Sequence, residues 1–173
     1  MDDKELLDIY TDYLISSFGL TTGTGLSRLL DGAISHDRIQ RFLASPTKGG
    51  ADFWKIVKPD VRQIQTEEGV LIVDDSISEK PHTDENDIIC WHDDHTSGHT
   101  IKGINFITAL YHVKGVALPV DYHVVTKTEV YTDQKTGTEK RRSTVTKNEV
   151  YQRWLRQGVH NQLPFRYVLN DVW

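Results

Sequence analysis

The spacing of apolar residues divides the chain into a helical first third and a longer part with the pattern of strands. Over residues 6–18, apolar side chains recur at every third or fourth position, which predicts a first helix. Two shorter helices are predicted at 25–30 and 35–43, the last beginning with a serine as its N-cap. We therefore predict a helical region over residues 1–58.

The two short helices have the pattern of a helix-turn-helix, a small DNA-binding unit. Its second helix would present Arg38 and Arg41 to a groove of DNA. A helical hairpin with a purely structural role has the same pattern. The sequence therefore leaves both interpretations open.

Beyond residue 68 the pattern changes to alternating or continuous apolar runs, which predict strands. Strands are predicted at 70–73, 100–111 and 115–125. Because only a short connection at 112–115 separates the second from the third, these two form a hairpin.

The last part of the chain predicts an insertion, a helix and a final strand. The polar, basic stretch 126–146 is either a long loop or a small protruding hairpin. Thr146 then opens an amphipathic helix for which Gly158 is the expected stop. The chain returns as a short strand at 167–169.

Two of the predicted strands are followed by an aspartate, Asp74 and Asp171. A meander followed by a right-handed crossover places the first and last strands side by side and parallel. Their carboxylates then meet at one edge of the sheet. We predict an α/β (α+β) protein in which the helical N-terminal region precedes a mixed sheet of the ribonuclease-H-like kind, incomplete and ordered strand-strand-strand-helix-strand, over residues 60–173.

Composition and charge argue against some classes of protein, namely membrane-spanning and secreted proteins. No apolar stretch approaches the roughly 20 residues that span a bilayer, and the N-terminus is acidic rather than basic as in a signal peptide. The single cysteine, Cys90, cannot form an internal disulfide. We predict a cytoplasmic, nucleoid-associated protein with no membrane partner.

Charge is unevenly placed along the chain. Residues 60–95 hold eleven acidic against two basic residues, and residues 127–156 hold eight basic against four acidic. The acids gather where the first strand ends. Either both stretches are solvated surface, or a cation site lies beside a track for the phosphate backbone of a nucleic acid.

Five blocks of sequence resemble the insertion-sequence transposases of the DDE class, which carry a ribonuclease-H-like catalytic domain. The first block is Val-Asp-Asp-Ser-Ile-Ser-Glu-Lys-Pro, which contains Asp74 and Asp75. The blocks lie at 73–81, 91–98, 102–106, 116–121 and 167–173. Because they occur in the family's order and end in an aspartate at the right strand, the resemblance is specific.

The resemblance implies a set of catalytic acids. The first falls on Asp74, with Asp75 as the alternative, and the second falls on Asp171. The third is a glutamate on a later helix, and no position here corresponds to it. The chain therefore looks like the N-terminal part of such a transposase.

The implied chemistry is DNA strand cleavage and transfer with Mg²⁺ (or Mn²⁺) bound by Asp74 and Asp171. Without the glutamate, we expect this chain to bind Mg²⁺ weakly and to cleave DNA poorly or not at all. The implied partners are transposon-end DNA and either a second copy of the chain or a full-length transposase. Phosphates of that DNA would contact Lys140, Arg141 and Arg142.

A second possible metal site is the cluster of Cys90, His92, His95 and His99, whose residue types suit zinc. Neighbouring aspartates and a Ser-Gly pair instead predict that residues 91–98 form a polar turn between strands. The second interpretation is favoured because only one thiolate is available.

Three functions remain open on the sequence. The chain is a DDE transposase that is catalytically incomplete, a noncatalytic DNA-binding regulator or inhibitor of transposition, or another ribonuclease-H-like nuclease. The first and third differ in their target, which is transposon ends for one and branched DNA or RNA hybrids for the other.

Overall fold

The computed structural model describes residues 2–45, 49–94 and 97–171. Its contacts divide the chain into two compact units, residues 1–47 and residues 48–173. The division falls within the region predicted to be helical, so the helix that follows residue 49 belongs to the second unit.

The first unit contains three helices: α1 (Asp3–Ser16), α2 (Gly23–Leu29) and α3 (His36–Leu43). Side-chain oxygens cap each of them, and Ser35 accepts a hydrogen bond from the backbone N–H of Arg38 at 3.2 Å, as its position predicted. The core of the unit consists of Leu6, Tyr13, Leu26, Ile34 and Ile39. The three predicted helices are confirmed, with ends that differ by a few residues.

The second unit begins with α4 (Gly50–Ile64), which extends past the predicted end of the helical region at residue 58. Pro59 lies inside this helix although proline normally ends one. Burial of Trp54 and Val61 in the core of the unit stabilises the helix across that position.

A five-stranded mixed sheet follows, with the order β2-β3-β1-β7 and with β4 also paired to β3. Its strands are β1 (Val70–Glu79), β2 (Ile89–Asp94), β3 (His99–Val113), β4 (Val116–Val124) and β7 (Tyr167–Asn170). The edge of β3 that faces away from β1 pairs first with β2 and then with β4.

Two predicted pairings are confirmed. The strands β3 and β4 form a hairpin whose turn residues Lys114 and Gly115 both have positive φ, 49° and 82°, as tight hairpin turns require. The strands β1 and β7 are parallel neighbours.

Two strand predictions were wrong. The first strand does not end at Val73 but continues through both aspartates to Glu79, because β3 is long enough to pair with all of it. Residues 91–94, predicted as part of a turn, lie in β2, which pairs with residues 99–104 of β3. Ser97 and Gly98 do lie in a turn, and Gly98 has a φ of 69°.

One face of the sheet is covered by α4 and by α5 (Lys147–His160). Because side chains alternate along a strand, Leu71 and Val73 of β1 face these helices. Their partners in the core are Trp54, Val61, Ile107, Ala109, Tyr111, Val150 and Trp154.

The remaining elements flank α5. The stretch 126–146 contains a small hairpin, β5 (Glu129–Thr132) paired with β6 (Glu139–Arg142). Thr146 caps α5, as predicted, but the helix continues past Gly158. A Cβ at Gly158 would lie 3.1 Å from the ring of Phe165, so this glycine serves packing and does not stop the helix.

Candidate functional site

Asp74 and Asp171 belong to the two parallel strands of the sheet. The paired residues of β1 and β7 end with Val73 beside Asn170. Asp74 is the next residue along β1, and Asp171 directly follows β7. Both aspartates are exposed. Exposed carboxylates supply the hard oxygen donors that suit a divalent cation such as Mg²⁺.

Asp75 lies on the opposite, helix-covered face of the sheet, because it is one residue along the same strand. Its Oδ2 accepts a hydrogen bond from Nδ2 of Asn105 at 2.9 Å and forms an ion pair with Nζ of Lys147 at 2.6 Å. The side chain is only 16% exposed. Of the two adjacent aspartates, Asp74 is thus the one whose strand position corresponds to that of Asp171.

His92 and Asn105 lie near Asp75 in a polar region of the covered face, and both are buried. Burial, together with the positive charges of Lys127 and Lys147, lowers the pKa of His92 to about 4. Both side chains line a cavity of about 390 Å³. Sequence reasoning missed Asn105, although its inward position between Gly103 and Ile107 in an alternating strand was a usable signal.

The described members of the cluster that was considered for zinc do not form a metal site. Cys90 and His92 are buried on one face of β2, whereas His99 is exposed at the start of β3, and His95 lies outside the described residues. Within residues 2–45, 49–94 and 97–171, no three side chains of His, Cys, Asp or Glu are close enough together to hold a metal ion. His99 pairs with Asp94 at the end of β2, whereas Cys90 and His92 pair with Gly103 and Ile101.

The three basic residues predicted to bind DNA in the second unit lie on β6, and each is paired with an acid. Arg141 contacts Asp87 at 2.6 Å, and Arg142 contacts Glu129 at 2.7 Å. Lys140 forms an ion pair with Asp133, which holds the pKa of that carboxyl at about 2. Much of the positive charge of this stretch is therefore balanced by nearby carboxylates.

The two basic residues predicted to bind DNA in the first unit lie on α3. Arg38 pairs with Asp3 at 2.5 Å, and Nε of Arg41 donates to the backbone oxygen of Asp37 at 3.3 Å. Ile39 of the same helix is fully buried, so α3 has one face in the core and a polar face outside.

A meander of antiparallel strands, a crossover through a helix, and a final strand parallel to the first define a ribonuclease-H-like α+β domain. Residues 2–173 match the family of DDE superfamily endonucleases, and the chain belongs to that family. Membership implies a nuclease or transposase type of function on DNA, and nucleases of this superfamily generally use divalent metal ions.

No curated protein and no solved structure matches the chain. Among the helices of the described ranges, none has the length and apolar character needed to cross a membrane.

Proposed function

We propose that this chain acts in DNA transposition, binding transposon-end DNA and contributing Asp74 and Asp171 to a Mg²⁺-dependent (or Mn²⁺-dependent) site for DNA strand cleavage and transfer. The observation that supports the proposal is the parallel pairing of β1 with β7, which ends at Val73 and Asn170, the residues directly before the two aspartates. Family membership supplies the DNA substrate and the use of divalent ions in general.

The residues of the chain suit this role. Bound divalent ions supply activation of the attacking hydroxyl and charge stabilisation at the scissile phosphate. Asp74 lies within a strand that pairs along its length with β3, which gives its carboxylate a rigid support. Asp171 adds a second oxygen donor from the neighbouring strand. The resemblance implies a third carboxylate without a counterpart in the five matching blocks, so we expect low activity from this chain by itself.

Localised cleavage of the protein by Fe²⁺ tests the proposal without requiring DNA cleavage. Fe²⁺ bound in place of Mg²⁺ generates hydroxyl radicals with peroxide and ascorbate, and these cut the backbone near the ion. We expect cuts near residues 74 and 171 that excess Mg²⁺ suppresses. Mass spectrometry of the fragments locates the cuts.

The variants Asp74→Asn and Asp171→Asn should each lose the cut near residue 171, whereas the control Asp84→Asn, at an exposed aspartate outside the strands, should retain it. The cut near residue 171 is diagnostic because it requires an ion on β7. A cut there that persists in Asp74→Asn, or no cut there in the parental chain, contradicts the proposal.

A second candidate function is that of a noncatalytic DNA-binding regulator, and the separate compactness of the first unit favours it. With its own core and a capped α3, this unit has the features of an independent DNA-binding module. A regulator of this kind would act by pairing with a second copy or with a full-length transposase. Transposition measured with and without the expressed chain separates the two functions, because a regulator lowers the frequency and a chain that contributes to strand transfer does not.

A further inference from the structure

Two buried polar atoms on the helix-covered face of the sheet have no hydrogen-bond partner in the described part of the chain: Nε2 of His92 and Oδ1 of Asn105. His92 is 6% exposed and Asn105 is 1% exposed. Both residues line the cavity of about 390 Å³ beside the N-terminal end of α5. Because buried polar atoms in folded proteins nearly always have a partner, these two indicate an occupant of the cavity.

The imidazole of His92 can act as a hydrogen-bond acceptor or metal ligand through Nε2. Nε2 is the ring nitrogen that is buried without a hydrogen-bond partner in the described residues, and in a neutral imidazole one of the two ring nitrogens is an acceptor. In the tautomer with the hydrogen on Nδ1, Nε2 has the lone pair that binds a metal ion.

Asn105 and Asp75 also provide acceptor oxygens. The Nδ2 group of Asn105 donates to Oδ2 of Asp75 at 2.9 Å, which leaves Oδ1 of the amide as an acceptor. Asp75 itself contributes a carboxylate that is largely buried. An imidazole nitrogen, an amide oxygen and a carboxylate together attract a cation and repel an anion.

An ammonium group already balances part of this negative charge. The Nζ of Lys147, at the start of α5, lies 2.6 Å from Oδ2 of Asp75. The second lysine beside the cavity, Lys127, donates to the backbone oxygen of Trp91 at 2.6 Å. Lys147 is therefore the group that a bound cation would have to replace at Asp75.

We propose that His92, Asn105 and Asp75 form a divalent cation site on the helix-covered face, in which the ammonium of Lys147 holds the carboxylate until the cation replaces it. The mixed nitrogen and oxygen donors suit an ion such as Mn²⁺ better than Mg²⁺. This site is distinct from the pair Asp74 and Asp171, which lies on the other face, and it does not depend on the proposed function.

The test uses Mn²⁺ and the full chain carrying Asp74→Asn and Asp171→Asn, so that the carboxylates of the other face do not contribute. Electron paramagnetic resonance counts the bound ions, and pulsed measurements on the same sample detect coupling to a ¹⁴N nucleus. We expect about one bound Mn²⁺ per chain with an imidazole nitrogen as ligand. No bound Mn²⁺, or bound Mn²⁺ without nitrogen coupling, overturns the proposal.

Three further variants in that background identify the ligands. His92→Phe should remove the nitrogen coupling and weaken binding by about tenfold or more, whereas the control His123→Phe, at a half-buried histidine of β4, should change neither. Lys147→Met should strengthen binding because the competing ammonium is gone. Unchanged affinity in His92→Phe, or weaker binding in Lys147→Met, contradicts the site.

Discussion

In the middle of β1, Asp74 and Asp75 are neighbours in sequence but lie on opposite faces of the sheet. Asp74 is exposed and accepts a hydrogen bond from the backbone N–H of Asp75 at 2.9 Å. Asp75 is largely buried against Asn105 and Lys147. Asp74 is thus accessible to a cation from solvent, whereas the negative charge of Asp75 is balanced by the ammonium group of Lys147.

Gly103 occupies a position in β3 where no larger residue fits. A Cβ there would lie 2.4 Å from the backbone oxygen of Ser78 on β1. We expect Gly103→Ala to lower the free energy of unfolding by about 1–3 kcal/mol, because backbone must move to relieve the close approach. Chemical denaturation measures the change. Gly19→Ala, at a position with nothing within 4 Å, is the matched control and should have little effect.

His92 makes stability depend on pH in the metal-free chain. Its pKa is about 4 in the folded protein and about 6.5 when unfolded. The unfolded state therefore binds the proton more strongly, so the contribution of His92 is complete above about pH 6.5 and is lost as the pH falls towards 4. The loss amounts to about 3 kcal/mol at most.

Unfolding of the parental chain and of His92→Phe, compared between pH 7 and pH 4.5 with a chelator present, measures this contribution. We expect a smaller decrease in the variant. An identical decrease in both chains would show that other groups cause it, and His123, whose pKa burial also lowers, is retained in both.

At the scale of elements, the local sequence specified some structures and not others. The β3–β4 hairpin and the cap of α5 were predicted because Lys114-Gly115 and Thr146 determine local geometry by themselves. The extension of β1 and the strand β2 were not predicted. Their aspartates and serines have low strand propensity, and only pairing with the long β3 makes them strands.

The N-terminus of α5 depends on a reciprocal cap. Oγ1 of Thr146 accepts from the backbone N–H of Glu149 at 3.2 Å, and the carboxylate of Glu149 accepts from the backbone N–H of Thr146 at 2.7 Å. We expect Thr146→Ala to cost about 1 kcal/mol of stability in denaturant titrations. Asn148→Ala, an exposed change in the same helical turn, should cost much less.

The β5–β6 hairpin offers a test of DNA binding. If Arg141 and Arg142 bind phosphates, replacing both with alanine should reduce the slope of log affinity against log salt by about 0.9 for each phosphate that the variant no longer neutralises. The slope is measured by fluorescence anisotropy with a labelled duplex. A double variant with the parental slope would exclude this role, and Lys55→Ala on α4 controls for the removal of positive charge.

At the scale of the whole molecule, the sheet pairs segments that are far apart in sequence. Residues 70–73 pair in parallel with residues 167–170 through a crossover that contains α5. The same sheet brings His92, Asn105 and Asp75 to one face from three different strands. Both candidate sites are therefore products of sheet assembly.

The proposed pairing of Asp74 with Asp171 gives a prediction about the stability of the second unit. Because like charges side by side repel, we expect Asp74→Asn or Asp171→Asn to raise the unfolding temperature slightly when a chelator is present. In Mg²⁺ the order should reverse, because the parental pair binds the ion and the variants bind it less well. Differential scanning fluorimetry in both conditions measures the effect, with Asp84→Asn as the control. A parental chain that does not respond to Mg²⁺ contradicts this expectation.

The sequence by itself determined the α+β class, the helical N-terminal region, the parallel relation of the first and last strands, and Asp74 and Asp171 as candidate acids. These follow from residue periodicity, local caps and turns, and the handedness of crossovers. Only the tertiary structure decided which face each aspartate occupies, that β2 is a strand, and that His92 and Asn105 share a cavity with Lys147. Such features depend on strand register and burial, which arise from contacts between distant segments and have no local signature.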